Sequence, residues 1–111
     1  MKTFQEMVDD ALERIDELMP WDLEEELGEK PDLLLLDIRE PDEYNAMHIR
    51  GALNVPRGIL ESSCEFDYEE TLPELAEARE REIIVICRSG KRSALAADVM
   101  LQLGFKKPRS L

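Results

Sequence analysis

The residues with the clearest chemical potential lie between positions 83 and 105, in the sequence IIVICRSGKRSALAADVMLQLGF. An apolar, β-branched run ends at Cys87 and predicts a buried strand. A helical pattern begins at Ser93, after a short loop with glycine and basic residues. A thiol at a helix N-terminus faces unpaired backbone N–H groups and the positive end of the helix dipole. This position predicts a lowered pKa for Cys87 and a reactive thiolate.

The loop after Cys87 predicts a binding site for an anion. Gly90 allows the tight backbone curl that turns consecutive N–H groups towards one point. The hydroxyls of Ser89 and Ser93 can donate to the same point. Cations at a helix N-terminus oppose its dipole, so the basic side chains of the loop need an anionic partner. These basic residues are Arg88, Lys91 and Arg92.

The loop CRSGKRS resembles the active-site loop of rhodanese-type sulfurtransferases. The upstream segment LLLLDIREPDEYNAMHIRGALNVP, residues 33–56, is similar to this family's D-x-R-x-x-x-E-Y-x-x-G-H-I-x-G-A-x-x-x-P segment. Met47 departs from the glycine that is usual in that pattern. The resemblance implies an α/β, three-layer, rhodanese-like fold with a mainly parallel central sheet flanked by helices.

The resemblance also implies an enzyme, a thiosulfate sulfurtransferase. Cys87 would take a sulfane sulfur from thiosulfate or another persulfide donor, hold it as a persulfide, and pass it to cyanide, a thiol or a sulfur-carrier protein. The family uses no metal or organic cofactor for this reaction. Arg88 and Lys91 would bind the anionic donor, whereas Arg92 would turn away into the structure. Arg57, just after a predicted strand, is a further candidate for the rim of the pocket.

Several neighbouring residues are predicted to support the site. Asp37 and Arg39 correspond to the family's Asp-x-Arg, and we expect a charge pair that braces the loop from the end of a strand. The one histidine, His48, is predicted to be a hydrogen-bonded anchor, and Tyr44 a packing residue. Cys64 lies in an acidic segment that would raise its pKa, so we expect it to be unreactive.

The remainder of the chain predicts one α/β domain with an N-terminal addition. Apolar residues at helical spacing predict an amphipathic helix over residues 1–19, ended by Pro20 and packed on the core. From the resemblance we expect residues 20–111 to form the rhodanese-like domain, with the usual last helix lacking or truncated. The pattern predicts helices over 21–27, 41–47, 72–81 and 93–103, strands over 33–36, 52–55, 83–86 and 109–111, and irregular structure over 57–68.

Composition narrows the functional classes. The 111 residues are 43% hydrophobic and 36% charged, which is typical of a globular domain. No apolar run reaches the roughly 18 residues of a membrane span, and the acidic N-terminus is unlike a signal peptide. We therefore expect a cytoplasmic monomer or dimer without membrane association. A net charge of −12 argues against a nucleic-acid partner.

Two other functional classes stay open on the sequence. Cysteine-dependent phosphatases and arsenate reductases of related fold use a C-x(5)-R loop to surround an oxyanion. Arg92 gives this chain a C-x(4)-R spacing, and the shorter ring of amides suits one sulfur atom better than a phosphate. The third class is a persulfide-sensing interaction module, which the complete basic loop around Cys87 disfavours.

Overall fold

Four parallel strands form the centre of the protein, whose computed structural model describes residues 1–111. They are β1 Leu34–Asp37, β2 Leu53–Asn54, β3 Glu82–Ile86 and β4 Lys107–Ser110. Their order across the sheet is β2-β1-β3-β4, and every neighbouring pair is parallel. β1 and β3 therefore lie in the middle of the sheet, and their carboxyl ends meet at one edge.

Both faces of the sheet are covered. Successive side chains of a strand point to opposite faces, and in β3 Ile83 and Val85 belong to the larger apolar core, while Ile84 and Ile86 belong to the smaller one. A strand covered on both faces reads as an uninterrupted apolar run. The predicted three-layer α/β architecture with a mainly parallel sheet is confirmed.

Six α-helices surround this sheet. They are α1 Phe4–Ala11, α2 Pro20–Glu29, α3 Pro41–Ala46, α4 Leu60–Ser63, α5 Pro73–Ala76 and α6 Lys91–Gln102, and a 3-10 turn covers Arg57–Ile59. Ala97 and Met100 of α6 pack in the larger core, and Leu23 of α2 packs in the smaller one. None of the helices combines the length and the apolar character that a membrane crossing requires.

The N-terminal helix is much shorter than the predicted segment 1–19. It ends at Ala11, and a turn and an extended stretch follow, in which Ile15 enters the larger core and Leu18 the smaller one. Pro20 begins α2 instead of ending α1, because proline is well suited to the first turn of a helix. The prediction of one helix up to residue 19 is therefore wrong.

Pairing with β4 explains why the helix stops early. Ser110 N–H donates to the carbonyl oxygen of Asp16 at 3.0 Å, and Leu18 N–H donates to Ser110 O at 2.7 Å. These bonds extend the sheet by a short bridge at Glu17. α1 itself lies against α6, and Arg14 donates to Asp98 of α6 at 2.7 and 2.8 Å. Tertiary hydrogen bonds have overridden the helical spacing of the apolar residues.

Three further boundaries differ from the sequence prediction. Residues 57–68 contain the 3-10 turn and α4, where irregular structure was expected. The helix predicted over 72–81 is limited to α5, because Arg79 donates to Ala76 O at 2.7 Å and satisfies a carbonyl at its end. The last strand runs over Lys107–Ser110 and not over 109–111.

Candidate functional site

Cys87 directly follows β3 and lies half-buried at the carboxyl edge of the sheet, where ligands of parallel α/β sheets bind. Its Sγ accepts hydrogen bonds from the N–H groups of Gly90 at 3.1 Å and Ser93 at 3.3 Å. The Ser93 Oγ also lies 3.3 Å from Sγ. Three polar groups, one from the loop and two from the first turn of α6, therefore converge on a single sulfur atom.

Gly90 makes this convergence possible. Its φ is +83°, a left-handed conformation that suits glycine, and it caps the N-terminus of α6. A Cβ at this position would lie only 3.1 Å from the carbonyl oxygen of Leu111. Because Gly90 is the cap, α6 begins at Lys91 and not at Ser93 as the sequence pattern predicted.

These contacts decide the protonation of the thiol. Burial acts to raise the pKa of Cys87, but hydrogen bonds to its sulfur outweigh that effect. The Ser93 hydroxyl lowers the pKa most, followed by the backbone N–H groups of Ser93, Gly90 and Ser89. The pKa of Cys87 therefore lies below its ordinary value, which increases the fraction of nucleophilic thiolate.

A second hydroxyl, from β4, supports Ser93. The Oγ atoms of Ser93 and Ser110 lie 2.7 Å apart, and both residues are fully buried. Ser110 Oγ also lies 3.1 Å from the carbonyl oxygen of Gly90, to which its hydroxyl can donate. Each hydroxyl has one hydrogen to donate. When Ser110 donates to Ser93, the Ser93 hydrogen is free to point at the sulfur.

Asp37 and Arg39 form the charge pair that the sequence predicted. Asp37 is 1% exposed at the end of β1, and Arg39 Nη2 donates to its Oδ2 at 2.8 Å. The same Nη2 atom donates to the carbonyl oxygen of Met47 at 2.7 Å, which ties the end of β1 to the segment after α3. Asn54 donates to the carbonyl oxygens of Asp37 and Arg39, each at 3.0 Å. The pair thus fixes one side of the site.

A basic cavity of about 480 Å³ opens beside Cys87. Arg88 and Arg92 line this cavity, and neither forms an ion pair within 4.0 Å. Arg57 also lines it, as the sequence suggested, but its guanidinium is paired with Glu61 at 2.8 Å. Glu40 and Glu43 line the cavity as well, so that its charged lining consists of four arginines and two glutamates. Among these arginines, Arg88 and Arg92 are available to an anion without the loss of an ion pair.

Two basic residues of the loop are placed differently from the expectation, although both were among the candidate substrate-binding residues. Arg92 was expected to turn away into the structure, yet it lines the basic cavity. Lys91 was expected to face the ligand, yet it lies outside the lining, with Nζ 6.0 Å from the ring centre of Phe4 in α1. Because α6 begins at Lys91, both residues belong to its first turn, and the helix backbone determines where their side chains lie.

A second cavity, of about 580 Å³, also includes Cys87. Its walls are largely apolar and come from the segment before α2, from the segment after α3 and from the end of β3. The apolar residues that line this cavity include Leu18, Met19, Met47, Ile49, Ile86 and Leu111. The carboxylate of Glu17 adds a negative charge to this cavity. No pattern of residues predicted this cavity.

The remaining candidates have structural contacts. His48 Nδ1 lies 2.7 Å from the carbonyl oxygen of Tyr44, and the two rings stack with centres 3.7 Å apart. The Tyr44 hydroxyl donates to the carbonyl oxygen of Ala52. Cys64 is fully buried, and burial raises the pKa of its thiol to about 11. No group of three or more His, Cys, Asp or Glu side chains is arranged to hold a metal ion.

Sequence reasoning missed three residues at this site. Ser110 lies in a short strand far along the chain from the loop it supports, and a single serine carries no signal of such a contact. Asn54 lies within the predicted strand 52–55, and a polar side chain near the end of a strand could have indicated a contact with the site. Phe4 lines the basic cavity from α1, and its position in an apolar stripe indicated only packing.

The family model and the curated relatives that match this chain point to the same family. The family model for the rhodanese-like domain matches residues 19–111. The thiosulfate:glutathione sulfurtransferase of Saccharomyces cerevisiae is 34% identical over 80 residues, which cover 68% of this chain and 56% of that protein. The matches to this and two other curated relatives span only 35% to 56% of their lengths.

Solved structures are similar over most of the chain. The human single-domain sulfurtransferase is 27% identical with a TM-score of 0.69, over 84% of this chain and 85% of that one. A protein of unknown function from Rhodopseudomonas palustris, described as a possible tyrosine phosphatase, is 27% identical. Its TM-score is 0.88 over 98% of this chain and 83% of that one.

Proposed function

This chain belongs to the rhodanese-like domain family, and on that basis we propose that it is a thiosulfate sulfurtransferase. It moves a sulfane sulfur from thiosulfate or another persulfide donor to a thiophilic acceptor through a persulfide on Cys87. The observation that carries the proposal is the set of hydrogen bonds at Sγ, from Gly90 N–H at 3.1 Å and Ser93 N–H at 3.3 Å. These groups suit a sulfur anion before and after loading.

In the loading step, the Cys87 thiolate attacks the sulfane sulfur of thiosulfate. A new S–S bond forms on Cys87, and sulfite leaves with the electron pair of the broken bond. Rates of such exchanges depend on the thiolate fraction of the attacking group and on the acidity of the leaving group. The lowered pKa of Cys87 supports this step, because it increases the fraction of thiolate at a given pH.

The donor is held by the basic cavity. Arg88 and Arg92 have no carboxylate partner within 4.0 Å, so a dianion can neutralise both without breaking an existing pair. Arg39 and Arg57 also line the cavity, but they are already paired with Asp37 and Glu61. They therefore contribute to the shape and the electrostatic potential of the cavity more than to direct binding of the donor. Unpaired guanidinium groups favour oxyanions because their planar N–H pattern matches two oxygens at once.

In the unloading step, an acceptor attacks the outer sulfur of the persulfide, and the S–S electron pair returns to Cys87 Sγ. Cyanide, a thiol or the thiolate of a sulfur-carrier protein can serve. Thiol acceptors are kept reduced in the cytoplasm, and we propose that the reaction takes place there.

A phosphatase is the alternative that the Rhodopseudomonas palustris relative suggests. Four residues separate Cys87 from Arg92, and the loop amides of Gly90 and Ser93 both point at Sγ itself. A phosphatase loop must instead leave its amides free for the oxygens of a phosphate. We therefore expect no hydrolysis of aryl phosphates, and measurable hydrolysis that is lost in Cys87→Ser would support the phosphatase.

The decisive experiment is transfer of sulfur from thiosulfate to cyanide, with mass spectrometry of the protein after exposure to thiosulfate alone. The native chain should gain the mass of one sulfur atom on Cys87 and form thiocyanate. Cys87→Ser should do neither, because an alcohol cannot carry a sulfane sulfur. Cys64→Ser is the matched control, since that buried thiol has a raised pKa, and it should keep the activity. Binding of persulfides without turnover would instead indicate an interaction module.

A further inference from the structure

Cys87 borders two cavities of opposite character, one basic and one apolar. We propose that the sulfur donor and the sulfur acceptor use different cavities. The donor enters through the basic cavity, and the apolar cavity selects an acceptor thiol carried on an uncharged, apolar group. This inference rests on the proposed sulfur transfer and deepens it by naming the class of acceptor.

The cavities lie towards different faces of the sheet. The basic cavity includes Ile38, a member of the larger core, and Phe4 of α1. The apolar cavity includes Leu18 and Ile86, which belong to the smaller core on the other face. The two cavities share Cys87 and, beside it, Arg39, Arg88 and Ser89 at the carboxyl edge of the sheet. One sulfur atom can therefore be approached along two routes.

The two routes differ in the guanidinium groups that they offer. The basic cavity contains four arginines, of which Arg88 and Arg92 form no ion pair, together with the carboxylates of Glu40 and Glu43. Arg88 also borders the apolar cavity, but there Glu17 opposes it, and the other two charges, Asp37 and Arg39, neutralise each other at 2.8 Å. The apolar cavity thus has little net attraction for an anion.

Shape and surface define the acceptor. The walls of the apolar cavity include Met19, Met47 and Ile49. Its volume of about 580 Å³ lies within the usual range for small-molecule sites. Apolar walls stabilise an apolar substituent by removing its surface from water, and they do not compensate the lost hydration of a charged one. A neutral apolar thiol fits this cavity better than a thiol that carries carboxylates.

The chemical step is balanced without an oxidant. The acceptor thiol loses its proton to solvent, and its sulfur attacks the outer sulfur of the Cys87 persulfide. A bond forms between these two sulfur atoms, and the bond from Sγ to the outer sulfur breaks. Its electron pair stays on Sγ, which restores the thiolate, and the acceptor leaves as a persulfide.

The test isolates the unloading step. The protein is loaded with thiosulfate, freed of small molecules and mixed with benzyl mercaptan, glutathione or cyanide, and loss of the persulfide is followed by rapid mixing. Each rate constant is divided by the fraction of the acceptor that is present as thiolate, so that differences in the pKa of the acceptor thiols do not affect the comparison. We expect benzyl mercaptan to react about tenfold faster than glutathione, since burial of an aromatic group contributes to its binding.

Met47 supplies the variant, because it lines the apolar cavity and is 79% exposed, so that a polar side chain does not endanger the fold. Met47→Asp should lower the ratio of the benzyl mercaptan rate to the cyanide rate by about tenfold. Met7→Asp is the matched control, since Met7 is exposed on α1 and lines neither cavity.

Each outcome has one meaning. Failure of thiosulfate to load Cys87 would overturn the proposed function and this inference with it. Normal loading, with equal reaction of both thiols or an unchanged ratio in Met47→Asp, would overturn only this inference. Preference for glutathione would likewise overturn this inference, because the favoured acceptor would then carry charged groups.

Discussion

The hydroxyl oxygens of Ser93 and Ser110 lie 2.7 Å apart inside the protein, and this contact joins the loop of Cys87 to β4. Ser93 contacts the sulfur directly, whereas Ser110 has a single hydrogen that it gives either to Ser93 or to the carbonyl oxygen of Gly90. The last strand therefore does more than complete the sheet, because it helps to set the direction of the hydrogen on Ser93. This direction bears on the stability of the thiolate.

Ser110→Ala should raise the pKa of Cys87. The rise is expected because Ser110, when it donates to Ser93, leaves the Ser93 hydrogen to the sulfur. A fall in the pKa would show that Ser110 donates to the carbonyl oxygen of Gly90 instead. The rate of iodoacetamide labelling against pH measures this shift. Ser62→Ala, which removes a hydroxyl from the α4 region, should leave the curve in place. An unmoved curve in Ser110→Ala would show that Ser110 only fills space.

Loading by thiosulfate should persist below the pH at which an ordinary thiol loses its reactivity. The pKa of Cys87 is lowered, so the thiolate fraction, and the loading rate with it, should fall only as pH drops through this lowered value. The midpoint should lie below the midpoint that a free cysteine thiol shows in the same assay. Cys64→Ser should give the same profile, because the pKa of Cys64 is about 11. A midpoint at or above that of free cysteine would contradict the hydrogen-bond account.

Removal of the Arg88 and Arg92 charges should weaken binding of the donor. The double variant with glutamine at both positions should raise the KM for thiosulfate by about tenfold or more, since hydrogen bonds to charged groups contribute roughly 1.5–3 kcal/mol. The loss should shrink as salt rises, because counter-ions screen exposed charges.

Lys91→Gln is the matched control for this pair. It removes a charge from the same loop, but Lys91 lies outside the basic cavity. Its effect on the KM should be smaller than that of either arginine. A larger effect of Lys91 would restore the assignment that the sequence alone favoured.

The segment from α1 to Leu18 should contribute strongly to stability. Ile15 is 4% exposed in the larger core, and Ile15→Ala should cost about 2–5 kcal/mol, which lowers the Tm by about 10 °C or more. Met7→Ala, at an exposed position of α1, should change stability by less than about 0.5 kcal/mol. Deletion of residues 1–18 should lower the Tm further or cause aggregation. Full stability of that deletion would show the segment to be an appendage.

The sequence was most informative where the interacting residues are neighbours in the chain. Cys87, Gly90 and Ser93 lie within one short loop, so their types and spacing were enough to predict the thiolate and its donors. Asp37 and Arg39 are likewise separated by one residue at the end of a strand. Local spacing predicts local geometry because few backbone conformations connect such residues.

Contacts between distant parts of the chain were beyond this reasoning. Ile15 and Leu18 continue a helical spacing, and only the backbone pairing with Ser110 shows that the chain is extended there. The apolar cavity is built from the segments around Met19 and Met47, which come together through the crossovers of the sheet. Apolar residues in each segment indicated burial, but not the shared surface that they form.

The bridge between Glu17 and Ser110 also affects how the protein behaves towards other chains. An uncovered border strand offers free N–H and carbonyl groups on which a foreign strand can assemble, and this is a route to fibrils. Residues 16–18 occupy that position beside β4, and the opposite border, β2, is only two residues long. The sheet thus has no long open border, and a variant that releases residues 16–18 would gain one.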